Sequence, residues 1–217
     1  MLISHKYKFI FLKAKKVSGT STEAFLERYC LSDEDEKKHI PQHSTDELVS
    51  EWGIVGSRLK DIGKWYNHKN PIDIKRDIGY EIWNSYSKIC NVRNPYDIAV
   101  SYYYFHHKDL PVTFNPSVLD FERFLQSHHA MTYLLANKKF WMENGKFSHD
   151  FYIKQENLQQ DLINLVEKLN LTLYNIDIPE YKKNETRPNY SVLYNNVSKK
   201  IIEDNFSDVL NYFNYNF

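Results

Sequence analysis

Two short stretches of this 217-residue chain combine residue types that bind anions. The first runs Leu12-Lys-Ala-Lys-Lys-Val-Ser-Gly-Thr-Ser-Thr22. An apolar run ends in Lys13, Lys15 and Lys16, Gly19 permits a tight turn, and Ser18, Thr20, Ser21 and Thr22 bring hydroxyls to a helix start. Helix-start N–H groups, hydroxyl donors and an ammonium group together suit a phosphate or sulfate. The stretch is not a Walker A loop, because the second glycine and the Gly-Lys-Ser/Thr ending are absent. The second stretch runs Val92-Arg-Asn-Pro-Tyr-Asp-Ile-Ala-Val-Ser-Tyr-Tyr-Tyr-Phe105. Arg93 stands just before a proline-started helix, where its planar guanidinium can fork onto a phosphate, and Ser101 offers a hydroxyl nearly two turns further on. Each stretch alone is also what a capped helix with solvated basic neighbours looks like. Two such junctions in one chain make the anion reading informative.

The elements that must hold these residues are legible as alternating strand and helix patterns. Lys8 to Leu12, Ser87 to Val92 and Asp150 to Ile153 are short apolar or aromatic runs followed by polar breaks, and read as buried strands. A helical pattern follows each of them. Gly19 to Tyr29 carries Phe25, Leu26 and Tyr29 at helical spacing. Asn94 to Phe105 opens with Asn94 as N-cap, Pro95 at the first helical position and Asp97 completing a capping arrangement. Asn157 to Leu169 sets Leu158, Leu162, Leu165, Val166 and Leu169 on one face. Strand then helix, three times, predicts an α/β fold with a central, mainly parallel sheet between helical layers. Residues 32–86 read as a mainly helical insertion in a single domain spanning 1–217, with helices over Thr45 to Trp52 and Asp73 to Trp83. Val197, Ile201, Ile202, Phe206, Val209, Leu210 and Phe213 form a last helical stripe.

Composition limits the partners. Lys+Arg and Asp+Glu both number 28, so the formal net charge is zero, which argues against a nucleic-acid coat or a polybasic membrane binder. No apolar stretch approaches the roughly 18 residues needed to span a bilayer, and the first residues turn charged too soon for a signal peptide. Cys30 and Cys90 are the only cysteines and read as reduced structural thiols. The expectation is a cytoplasmic protein with no membrane span.

The two junctions together resemble those of sulfotransferases that use 3′-phosphoadenosine 5′-phosphosulfate (PAPS), in the branch that includes heparan sulfate 2-O-sulfotransferases and their bacterial and viral relatives. Lys15-Lys-Val-Ser-Gly-Thr-Ser21 is similar to the family's first motif, and Val92-Arg-Asn-Pro95 with Ser101-Tyr-Tyr103 to its second. Glu156-Asn-Leu158 and the tail Asp208 to Phe217 resemble two further family features, so the likeness spans nearly the whole chain. The resemblance implies a P-loop-like three-layer fold and PAPS as cofactor, with PAP as product and no metal. It implies that Lys16 contacts the 5′-phosphosulfate and stabilises the departing phosphate. Lys15, Ser18, Gly19, Thr20 and Ser21 then form the cradle, and Arg93 and Ser101 hold the 3′-phosphate. Lys15 stands where the family has proline, and Val17 where it has threonine.

Proton removal from an acceptor hydroxyl needs a base, and family members that transfer to a 2-O position use histidine. His43, in Ile40-Pro-Gln-His-Ser-Thr-Asp-Glu47, is the candidate base, with His39 as the neighbouring alternative. Arg187, in a basic segment with Lys183, sits where relatives close a loop over the nucleotide. His106, His107, His128 and His129 form two doublets that cannot face one metal from a regular helix. The expected acceptor is a glycan or small-molecule hydroxyl. Two other readings stay open: a catalytically silent glycan-binding protein of the same fold, and a P-loop-like small-molecule kinase.

Overall fold

In the computed structural model, which describes residues 1–41, 46–58, 63–107, 109, 116–174 and 188–217, the three expected strands are neighbours in one sheet. They are β2 (Phe9–Leu12), β5 (Ser87–Val92) and β6 (Phe151–Lys154). β2 runs parallel to β5 with Leu12 opposite Cys90, and β5 parallel to β6 with Val92 opposite Lys154. Three strands beyond the sequence reading complete the sheet on its other side: β1 (Leu2–Ser4), β3 (Leu48–Val49) and β4 (Gly53–Val55). Among the described residues the sheet is six-stranded in the order β3-β4-β1-β2-β5-β6, with the pairs β3-β4, β4-β1 and β1-β2 antiparallel. The fold is therefore α/β with a mixed sheet flanked by helices, where the sequence reading has a mainly parallel one.

The chain folds as two compact units, the first made of residues 1–92 with 138–183 and the second of 93–137 with 184–217. The first contains the whole sheet. Phe9 and Phe11, two apart on β2, point to one face and pack with Phe25 and Leu26 of α1 (Gly19–Leu26), with Tyr29 and Cys30 of the following 3-10 turn, and with Leu162, Leu165 and Val166 of α9 (Leu158–Lys168). Each fully buried side chain of this size contributes about 1.5–3 kcal/mol. Buried Cys30 and Cys90 are free thiols whose pKa values are pushed up by burial.

Segment 32–86 lies in the first unit and departs from the sequence reading in two places. The expected helix over Thr45 to Trp52 is, in its described part, the β3-β4 hairpin. The Ser50 hydroxyl accepts from the Trp52 and Gly53 N–H groups to close that turn. Gly53 is required there, since a Cβ would lie 2.4 Å from the Ile3 carbonyl oxygen. The expected helix over Asp73 to Trp83 is two, α3 (Pro71–Ile78) and α4 (Tyr80–Ser85), broken at Gly79 with φ 86°. The segment also contains α2 (Asp33–Lys37), N-capped by Ser32.

The second unit is helical. It comprises α5 (Pro95–His106), α6 (Val118–Gln126), α7 (His128–Leu135) and α10 (Asn196–Phe213), while the short α8 (Lys138–Trp141) belongs to the first unit. Capping boxes start α6 at Ser117/Asp120 and α10 at Asn195/Ser198. Aromatic rings fill its interior: Tyr194 packs edge-on against Tyr96, Phe121 and Phe217, and its hydroxyl donates to the Tyr96 carbonyl at 2.9 Å. No helix among the described residues is long and apolar enough to cross a membrane.

Candidate functional site

The connection from β2 to α1 gathers the first set of sequence candidates. It turns in six residues, and Lys16 (φ 63°) and Ser18 (φ 61°) both adopt the left-handed conformation. For residues with a Cβ this costs roughly 1–2 kcal/mol each. Ser18 stands at the N-cap without capping the helix through its side chain, and no acid lies in the first turn of α1. The first turn thus presents its N–H dipoles without a built-in counter-charge. Gly19 packs against the Lys13 side chain, where a Cβ would come within 2.9 Å of Lys13 Cγ. Asn91 on β5 donates to the Thr22 hydroxyl at 2.8 Å, and Trp141 donates to the Asn91 carbonyl at 3.0 Å, tying the helix start to the sheet.

The three lysines do different work. Lys13 is 2% exposed and pairs with Glu23 Oε2 at 2.5 Å, while the Met1 amino group meets the other Glu23 oxygen. Burial opposes ionisation of Glu23, but the positive Lys13 and the Met1 amino group outweigh it and hold the carboxyl down to about 2. Lys13 is thus an internal anchor of the loop. Lys15 and Lys16 remain half-exposed on the turn itself.

A histidine the sequence reading passed over stands at this loop. His68, also left-handed with φ 54°, donates from Nδ1 to the Lys13 carbonyl at 2.9 Å. A carbonyl only accepts, so the hydrogen is on Nδ1 and Nε2 carries the lone pair in the neutral ring. Burial first, then the positive Lys13, pushes the His68 pKa down to about 3. The strap around His68 is fastened by Lys69 to Asp77 at 2.6 Å, by Ser57 N–H to the Trp65 carbonyl at 2.8 Å and by Trp65 N–H to Glu47 at 2.6 Å. The signal for it is in the chain: His68 lies two residues before Asn70-Pro71, an N-cap followed by a proline at the first helical position. The alternative base, His39, lies instead 2.9 Å from Glu27, and burial, then the charge of Arg28, lowers its pKa to about 4. Glu27 also pairs with the buried Arg58. His43 and Arg187 lie outside the described residues.

In the second unit the N-terminus of α5 forms as expected at Asn94, whose side chain accepts from the Tyr96 N–H at 3.1 Å, with Pro95 following. Asp97 does not complete a capping box. Its Oδ2 accepts from Arg93 Nε at 2.8 Å and Nη2 at 2.5 Å. An ion pair at four-residue spacing outcompetes the cap because two charge-assisted bonds converge on one oxygen. It also draws the guanidinium one turn along α5. Asp97 and the half-buried Ser101 are again four apart on the same helix face. The carboxylate beside Arg93 reduces the net positive charge offered to an anion there. Comparison with known protein families, curated proteins and solved structures finds no match for this chain.

Proposed function

We propose that this chain transfers a sulfuryl group from PAPS to an acceptor hydroxyl, on a P-loop-like sulfotransferase fold, with a carbohydrate as the expected acceptor. The observation that carries the reading is the β2-to-α1 turn, where Lys16 and Ser18 are both left-handed ahead of an acid-free first helical turn. Residues held in costly backbone conformations cluster at functional sites, and a turn of this kind aims backbone N–H groups at an anion. In this reading Lys15, Lys16, Ser18, Gly19, Thr20 and Ser21 receive the phosphosulfate. Arg93 and Ser101 take the 3′-phosphate, and Arg187 closes over the nucleotide, as the family resemblance assigns them.

The transfer is an in-line displacement. The acceptor oxygen forms a bond to sulfur, the bond from sulfur to the phosphate oxygen breaks, and its electron pair leaves on PAP. Lys16 stabilises that charge, as cationic clamps do in phosphoryl transfer. The acceptor proton goes to a histidine. His68 is the favoured base, since its Nδ1–H is fixed on the Lys13 carbonyl and Nε2 has the lone pair. His43 is the base by family resemblance alone. A dianionic ligand beside His68 would raise its low pKa towards the range where a base works well.

A thermal-shift titration tests the cofactor. PAP near 100 times its Kd should raise the melting temperature by about 5–10 °C, and ATP and ADP should not. ATP alone stabilising the protein supports a kinase, and none of the three supports a binding module without transfer. In calorimetry Arg93→Ala should weaken PAP about 10- to 100-fold, and unchanged binding there sinks the 3′-phosphate assignment. For the base, His68→Asn keeps a side chain that tolerates φ near 54°. It should lower kcat about 10²- to 10⁴-fold with PAP binding retained. If His43→Asn shows that loss and His68→Asn does not, the base is His43.

A further inference from the structure

Strand β5 buries Asn91 completely among the apolar Ile89, Cys90 and Val92. Burying an amide is costly unless its hydrogen bonds are made. Here only half of them are. Nδ2 donates to the Thr22 hydroxyl oxygen at 2.8 Å, while Oδ1 has no hydrogen-bond partner among the described residues. The bond from the Trp141 indole N–H goes to the Asn91 main-chain carbonyl at 3.0 Å, and any residue at this position could accept it. What the side chain alone supplies is a donor aimed at Thr22.

Thr22 is fully buried as well, and its hydroxyl has a single hydrogen to give. With the Asn91 amide donating to the oxygen, that hydrogen goes to the Ser18 carbonyl, 3.3 Å away. The Thr22 N–H donates to the same carbonyl at 3.1 Å, so two donors from one residue hold it. Ser18 is the left-handed residue at the N-cap of α1, with φ 61° and ψ 23°. A trans peptide directs its C=O and its N–H oppositely. Holding the Ser18 carbonyl towards the helix therefore turns the Gly19 N–H away from it, to the side where an anion meets a helix start. Ser18, Thr22, Asn91 and Trp141 all belong to the first unit.

We infer that Asn91 and Thr22 are positioning residues for the anion loop: the amide sets the direction of the Thr22 hydroxyl, and the hydroxyl holds the left-handed Ser18 peptide. The inference rests on the reading of this turn as the phosphosulfate site. Amide hydrogen exchange of the full chain without ligand tests the relay, and calorimetry with PAP tests its use. Thr22→Val keeps the buried volume and loses the hydroxyl. It should speed exchange of the helix-start amides, residues 22–24, about 5- to 10-fold, and weaken PAP about fivefold. Thr22→Ser keeps the hydroxyl and loses the methyl group, and should restore both. A packing role would give the reverse order. Asn91→Val suits the strand and removes the donor, so it should speed the same amides while melting within about 4 °C of the parent. Exchange in Thr22→Val equal to the parent's, or Thr22→Ser as fast as Thr22→Val, overturns the inference. A parent chain that does not bind PAP overturns the cofactor reading instead, and the exchange comparison still decides the relay.

Discussion

Lys16→Ala should cut sulfuryl transfer by about 10²- to 10³-fold, the loss typical when one donor to a developing oxyanion is removed. The effect should fall on kcat more than on PAP affinity, because charge builds on the departing phosphate only as the bond to sulfur breaks. Labelled PAPS with a panel of neutral and uronate-bearing glycosides gives the rate, and calorimetry with PAP gives the affinity. Lys16 is half-exposed on the turn, so the variant should melt close to the parent. Lys13→Met behaves differently in this picture. Lys13 is closed in with Glu23, so its loss should register as lowered stability first and lowered rate second. Equal rates for the parent and Lys16→Ala would remove the phosphosulfate role from the loop.

The largest stability effect should come from Glu23→Gln. Glu23 is 1% exposed and pairs with Lys13, itself 2% exposed, so neutralising it leaves a buried ammonium group without its counter-ion. Breaking a buried pair in this way costs about 3–5 kcal/mol, which in a chain of this size lowers the melting temperature by on the order of 10 °C. Its pH dependence has a definite sign. The folded carboxyl sits at about 2, below its ordinary value of 4.5, so its contribution is full above that ordinary value and is lost as pH falls towards 2. Urea unfolding of the parent and of Glu23→Gln should therefore differ most above pH 5 and converge near pH 2. A difference below about 1 kcal/mol at pH 7 would show that the pair does not hold the loop.

What the sequence made legible follows from how much local signal each element carries. β2, β5 and β6 are apolar runs with polar breaks, so their burial can be read from residue type alone. β1, β3 and β4 have two or three residues each, too few for any period to show, and they are strands because of the partners they pair with. The helical pattern over Thr45 to Trp52 gives way because Ser50 closes a turn and Gly53 must pass beneath the Ile3 carbonyl. At the candidate site, Lys13, Lys15 and Lys16 look alike in sequence. Only the fold separates them, through a carboxylate in the next helix, ten residues after Lys13. Asp97 reads as a cap and becomes the partner of Arg93, since the ladder of four-residue neighbours is a property of the formed helix. His68 is 55 residues from the carbonyl it meets, a distance across which sequence pattern carries no contact information.

Among the described residues, the left-handed positions that are neither glycine nor asparagine are Lys8, Lys16, Ser18 and His68, and three of those four belong to the loop or touch it. In the language of folding landscapes, most of this chain is locally consistent: caps, stripes and turns favour what the whole fold requires. The loop is the exception. There lysine, serine and histidine are held in conformations their own backbones resist, while softer residues would serve the chain's path equally well. Such conflict is removed readily by selection for stability alone, and its concentration at one turn agrees with the anion-binding role proposed for that loop.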